Sequence, residues 1–165
     1  MQAFDRRTVQ VTAPDAPPAD APAVRDATAI LARTKADTVA ADLARQTYRT
    51  HPMPTLKPDA QVAPLLGRDE RVVAVRHSVQ LDRRQPEAST GTPLHLAGEL
   101  YLTSRRLVLI GRTTLEYDLA DIEEAGLSGE RLFLLLRDGR GISLDVEGPR
   151  LLRVEIATAR ALARG

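Results

Sequence analysis

From residue 68 onward the chain alternates apolar and polar side chains with a period of two, and this feature most restricts its fold. Val73, Val75, Val79 and Leu81 are separated by Ala74, Arg76, Ser78 and Gln80. Leu94, Leu96, Leu100 and Leu102 alternate with His95, Ala97, Glu99, Tyr101 and Thr103, and Arg106-Leu-Val-Leu-Ile110 follows. Leu115, Tyr117 and Leu119 alternate with Glu116 and Asp118, and a short segment holds Ala125 and Leu127. Ser128-Gly129 turns into Arg131-Leu-Phe-Leu-Leu-Leu-Arg137. Asp138-Gly139 is a hairpin signal, after which Ile142, Leu144 and Val146 alternate with Ser143 and Asp145. A period of two sends successive side chains to opposite faces of a sheet. About seven short strands at regular spacing predict a small antiparallel barrel or sandwich.

The chain then changes period. Gly148-Pro149 punctuates, and Leu151, Leu152, Ile156, Ala159, Leu162 and Ala163 fall on one helical face. Arg153, Arg160 and Arg164 fall on the opposite one. Glu155 intrudes on the apolar face and is expected at its edge. An amphipathic helix over 150–164 needs an apolar surface to cover, and the open end of a small barrel offers one.

The N-terminal third is built differently, with eight of the eleven prolines before residue 65. Residues 1–21 read as a disordered, Pro/Ala-rich tail. Residues 22–50 predict one helix, opened by Pro22 with Asp20 as its cap and ended by His51-Pro52. Its large apolar residues form no single stripe: Val24 and Leu31 share a face, and Val39 and Leu43 lie elsewhere. The pattern predicts an Ala-driven helix that packs only in part; the alternative is a helix that docks on a partner or a second copy. Residues 51–66, with four prolines, read as an extended linker. The segment 67–165 holds the whole periodic pattern and is expected to carry the folded domain, with residues 65–165 folding alone.

Three stretches carry a resemblance. Gly98-Glu-Leu-Tyr-Leu-Thr-Ser-Arg-Arg-Leu-Val-Leu-Ile110 resembles the strand–turn–strand signature of the GRAM-like and bacterial PH-like families. Leu65-Leu-Gly-Arg-Asp-Glu-Arg-Val-Val73 resembles the opening of the same domains, and Tyr117-Asp-Leu-Ala-Asp-Ile122 their step between strands. The resemblance covers roughly residues 65–164. It implies the pleckstrin-homology superfold: a small antiparallel β-barrel of about seven strands, capped by a C-terminal helix and here preceded by an N-terminal one. Gly98, and Gly126 on the other sheet, are read as bulge or corner positions, and Thr103-Ser104-Arg105 as a tight turn.

The sequence offers little chemistry. It has no cysteine, which removes disulfides, thiolate metal sites and cysteine nucleophiles together. Its histidines, His51, His77 and His95, stand on separate segments, and no hydrolase, zinc-protease or phosphate-loop pattern occurs. His77 is in phase with Val75 and Val79, so it is expected to face the barrel interior or rim. Asp118, Asp121, Glu123 and Glu124 read as a solvated turn. No metal, cofactor or catalytic residue is expected.

The candidate ligand-binding residues are Arg76, Arg83, Arg84, Arg105 and Arg106. Lipid-binding pleckstrin-homology domains use a basic residue late in the first strand and a basic-x-Arg pair on the second. Arg76 matches the first; His95-Leu-Ala-Gly-Glu-Leu100 lacks the pair and carries Glu99. The chain has a net charge of +1 and 3% aromatic residues, which argues against nucleic acid. No apolar run approaches the roughly 20 residues of a membrane span, and no secretory leader is evident. Missing Asn, Cys and Trp with abundant Ala read as the codon bias of a GC-rich bacterial genome. The expectation is a non-catalytic adaptor of the bacterial cytosol, binding a protein partner or self-associating through its N-terminal helix. Weak contact with anionic lipid or phosphate through the loop arginines is one alternative, with the loop 82–93 gating one end of the barrel. A small-ligand carrier or enzyme using the barrel mouth and His77 is the other.

Overall fold

The computed structural model describes residues 22–84 and 94–164. The expected tail, the Asp20 cap and most of the 82–93 loop lie outside them. Element order is α1 (Pro22–Thr47), β1 (Val72–Arg84), β2 (Leu94–Thr103), β3 (Arg106–Gly111), β4 (Thr114–Asp118), β5 (Ile122–Ser128), β6 (Arg131–Leu136), β7 (Gly141–Asp145) and α2 (Pro149–Arg164).

The seven strands form one antiparallel sheet in the order β4-β3-β2-β1-β7-β6-β5. This is the strand count, pairing and terminal helix of the pleckstrin-homology plan, with one difference from a true barrel: the sheet is not closed. β4 and β5 follow each other in sequence through a single 3-10 turn, Leu119–Asp121, yet stand at opposite edges. The long β1 makes this possible. From Val72 to Arg83 it pairs with β2, with two register shifts, and over Gln80–Arg84 it also pairs with β7. One strand therefore belongs to both halves of a strongly curved sheet.

Leucine and isoleucine fill the interior. Leu81, Leu100, Leu102, Leu107, Leu109, Leu119, Ile122, Leu132, Leu134 and Leu136 are all fully buried. β6 shows the sequence rule cleanly: Leu132, Leu134 and Leu136 point in, while Phe133 and Leu135 point out. Each such leucine contributes about 1.5–3 kcal/mol by leaving water.

β1 breaks the expected phase. Its pairing with β2 slips between Arg76 and Val79, and Ser78 has a φ of 55°. An extra residue at a bulge moves the neighbouring side chains across the sheet. Val79 and Leu81 stay in the core, but His77 turns out to solvent and bonds Glu99. The inward-facing His77 expected from strict alternation is corrected on this ground. The bulge lies on β1, at His77 and Ser78 opposite Glu99, rather than on Gly98, which pairs with Val79.

α2 lays Leu152, Ile156 and Ala159 on the interior. Glu155 is not at an edge: it is buried on the side that α1 covers. α1 packs there through small residues, Ala41 and Ala44 against Val154, which lets the two helices approach closely. Its large apolar side chains, Leu31, Val39 and Leu43, remain exposed. Asp37 ties the helices together. Its carboxylate accepts the backbone N–H groups of Arg150 (2.8 Å) and Leu151 (3.0 Å), two of the unpaired donors that begin α2. A residue 113 positions earlier thus does the work of an N-cap. We expect Asp37→Ala to cost about 1–2 kcal/mol in chemical denaturation and Asp37→Asn, which keeps one of the two accepting oxygens, to lose less than that. Equal losses in the two variants would show that a single accepting oxygen does not preserve the cap, and that both oxygens of the carboxylate are needed.

Residues 51–66 do more than span a gap. Val62 is fully buried with Val72, Tyr101 and Val108, Met53 packs on the main core, and Leu56 bridges Val72. Tyr101 Oη lies 2.7 Å from both Asp59 Oδ2 and Glu99 Oε2, its one proton held between two carboxylates. That bond holds Asp59 and Glu99 below the usual carboxylate range. The proline-rich segment is a layer on the outer face of the sheet.

Candidate binding cleft

The arginines singled out by sequence do not converge. Arg76 is largely buried and its Nη2 is 2.6 Å from Glu155 Oε2. Arg105 is exposed, with its carbonyl bonded by the Leu119 N–H. The side chain of Arg84 lies outside the described portion. Among those whose side chains are described, Arg83 and Arg106 share a cleft.

Arg106 also has a structural task. Glu70 receives its Nε and Nη2 on two oxygens, each at 3.0 Å, and Leu65 O receives Nη2 at 2.6 Å. Thr103 Oγ1 donates to Glu70 at 2.7 Å and accepts the N–H groups of Arg105 and Arg106. The Gly67 N–H donates to Glu70 Oε2 at 2.8 Å. Burial, the largest influence on Glu70, would raise its pKa; the bonds from Arg106, Gly67 and Thr103 together prevail and hold it low. Two stretches quoted for the resemblance, 65–73 and 98–110, therefore meet in one clamp that joins the start of β1 to the β2–β3 turn. Their shared residue pattern is explained by packing and charge pairing.

The open side of the sheet is a cleft of about 510 Å³. One wall is the free edge strand β4, from Leu115 to Asp118. The facing wall is the β6–β7 hairpin with Leu136, Arg137, Asp138 and Arg140, and Arg83 reaches in from the end of β1. The hairpin is shaped by Gly139, with a φ of 81°, and by Asp138, which accepts the Arg140 N–H. The Arg137 N–H donates to Asp121 O at 2.9 Å and pins the hairpin beside the turn that leaves β4.

Two donors in this cleft are buried without an acceptor among the described residues: Arg83 Nε and Tyr117 Oη, the latter beside the Arg83 guanidinium, which acts on it as a donor. Such atoms cost free energy, because water is lost and nothing replaces it. Burial pushes the Tyr117 phenol up, against the opposing influence of the Arg83 guanidinium beside it. The charge of the cleft is balanced. Arg83, Arg106, Arg137 and Arg140 face Glu116, Asp118, Asp121 and Asp138.

Sequence reasoning found Arg83 and Arg106 here and missed Tyr117, Arg137 and Arg140. Tyr117 read as one more core residue of an alternating strand. Arg137 and Arg140 flank the Asp138-Gly139 turn, a visible signal, but only the open sheet brings that turn opposite β4.

No family model matches this sequence, and no curated protein matches it. Among solved structures, the C-terminal domain of an unknown protein from Leishmania infantum aligns with a TM-score of 0.38 and 12% identity, covering 59% of this chain and 87% of that one. The pleckstrin homology (PH) domain of USP37 aligns with a TM-score of 0.39 and 16% identity, covering 53% of this chain and 95% of that one. Among the described residues, no helix is long and apolar enough to cross a membrane.

Proposed function

We propose that this chain is a non-catalytic protein-binding module, an adaptor of the bacterial cytosol, that takes an extended segment of a partner along β4. The observation that carries this reading is a pair of buried donors without an acceptor among the described residues, Tyr117 Oη on the free edge strand β4 itself and Arg83 Nε reaching in from the end of β1. An edge strand presents alternate backbone N–H and C=O groups with no ladder partner, and an added strand pairs them. A peptide backbone laid there also supplies the acceptors that Arg83 and Tyr117 lack. The mixed charge of the cleft suits a peptide better than a polyanionic surface. The filled interior and the outward His77 weigh against a small-ligand carrier or an enzyme using the barrel mouth. The likeness of residues 65–73 and 98–110 to bacterial PH-like and GRAM-like domains is in keeping with a binding role.

The test uses Tyr117→Phe on the full chain. Removing this buried hydroxyl, whose proton has no acceptor but which lies beside the Arg83 guanidinium, changes the stability of the free protein by no more than about 1 kcal/mol. The same change removes a donor from the bound partner. Unstructured peptides selected on the wild-type chain from a displayed library are expected to bind Tyr117→Phe about tenfold more weakly in calorimetry. Selected peptides that bind both proteins equally, or a library that yields none, overturn the proposal.

A further inference from the structure

A second basic cluster lies around the corner from the cleft. Arg137 leaves β6, and Arg160 and Arg164 project from the last two turns of α2, one helical turn apart; with Glu123 of β5 they line an open cavity of about 400 Å³. Three guanidiniums against one carboxylate leave the site with an excess of positive charge. Most other described arginines with a defined side-chain contact are ion-paired: Arg76 with Glu155, Arg106 with Glu70, Arg150 with Glu130. Arg137, Arg160 and Arg164 have no carboxylate partner among the described residues.

Arg160 is the informative member. Its one bond is from Nη2 to the backbone carbonyl of Glu123, at 3.2 Å, and its Nε is buried without a partner. Burial, then the charges of Arg164 and Arg137, hold its pKa below the usual guanidinium value. Like charges one turn apart on a helix repel. The helix dipole favours cations at a C-terminus, which accounts for Arg160 and Arg164 in part. It does not account for Arg137, which comes from a different element, or for the unpartnered Nε. An oxyanion meets all of these conditions at once. It accepts from several N–H donors in a planar fork and cancels the mutual repulsion.

We infer that Arg137, Arg160 and Arg164 form an oxyanion site for a phosphate-bearing ligand, which borders the β4 cleft at Arg137 and adds Arg160 and Arg164, two residues the peptide reading does not use. The small cavity, with three guanidiniums and the acidic residue Glu123 in its lining, suits a single phosphate group rather than an extended polyanion. The phosphate could come from a soluble ligand or a lipid headgroup, and the experiment separates the two.

Isotope-labelled full-length protein is titrated with inorganic phosphate, and in parallel with sodium chloride at matched ionic strength, while backbone amide signals are followed. Phosphate is expected to shift Glu123, Arg137 and Arg160 saturably, and chloride is not. Arg137→Gln with Arg164→Gln changes two exposed side chains, so the fold is kept; it is expected to weaken phosphate binding about tenfold or more. A second arm sediments the protein with phosphatidylcholine vesicles with and without phosphatidic acid. Binding that needs phosphatidic acid and is lost in the double variant assigns the phosphate to a lipid. Saturable phosphate binding without vesicle binding assigns it to a soluble ligand. The inference is overturned if wild-type shifts are linear or match those in chloride and no vesicle binding occurs, or if the double variant responds as the wild type does to both probes.

Discussion

Arg76→Met is expected to destabilise the protein by about 3–5 kcal/mol, because it leaves the Glu155 carboxylate buried and unpaired. The side chains of Arg76 and Glu155 are only 16% and 9% exposed, so little water can replace the lost partner. The effect has a pH signature. Burial pushes the Glu155 pKa up in the folded state, and Arg76 opposes that rise. A carboxyl whose folded pKa is raised favours the native state most when protonated. Its contribution is fully present below the unfolded value of 4.5 and is lost as pH rises through the folded value. Without Arg76 the folded value climbs further, so the window of loss widens upward. The Arg76→Met penalty should therefore be largest at neutral pH and shrink on acidification toward pH 5. Urea denaturation of both proteins at the two pH values measures this. A penalty that does not change with pH would show that lost packing, and not the stranded carboxylate, is responsible. Replacing both residues, Arg76→Met with Glu155→Leu, should recover most of the loss, since a well-packed apolar pair often matches a buried ion pair.

Gly98→Ala should cost roughly 3 kcal/mol or more, the upper end for forced overpacking. A Cβ at Gly98 would stand 2.2 Å from Ile110 O and 2.7 Å from Ile110 C. Across the ladder its partner Gly111 is equally tight, with a Cβ there 2.2 Å from Ala97 O. The obstructing atoms are backbone atoms of the paired strand, so relief requires β2 and β3 to part. Gly126→Ala is the internal control. No atom lies within 4 Å of a Cβ at that position, and its pairing with Phe133 is regular. That change should be neutral or stabilising by about 0.5–1 kcal/mol. Thermal denaturation of the two variants decides the matter, and a Gly98→Ala protein as stable as Gly126→Ala would refute the close-approach account.

The paired glycines show how far a sequence can be read. In sequence Gly98 and Gly126 are alike, glycines in strand patterns that predict bulge or corner positions. Gly98 is required by the approach of another strand, and Gly126 meets open space. His77 and Glu155 teach the same lesson. Each was placed by strict periodicity, and each was moved by something periodicity does not contain. A β1 bulge turned His77 to solvent, and a docked α1 buried Glu155 with a cation from β1. The candidate site divides similarly. Arg83 and Arg106 were visible as basic residues at strand ends. Tyr117 and the Arg137 to Arg140 hairpin became part of the cleft only because the sheet stays open beside β4.

The sequence by itself determined the seven strands, the two helices, the turns at Ser128-Gly129 and Asp138-Gly139, and the aliphatic interior. These follow from local rules: side-chain alternation, helical spacing and turn chemistry act over a few residues. Only the tertiary structure decided the open edges of the sheet, the trans cap from Asp37, the Glu70–Arg106 clamp, the docking of the 51–66 segment through buried Val62 and which arginines lack a carboxylate. Each of those depends on groups far apart in sequence meeting at a distance of a few ångströms, and no local pattern encodes which distant group will arrive.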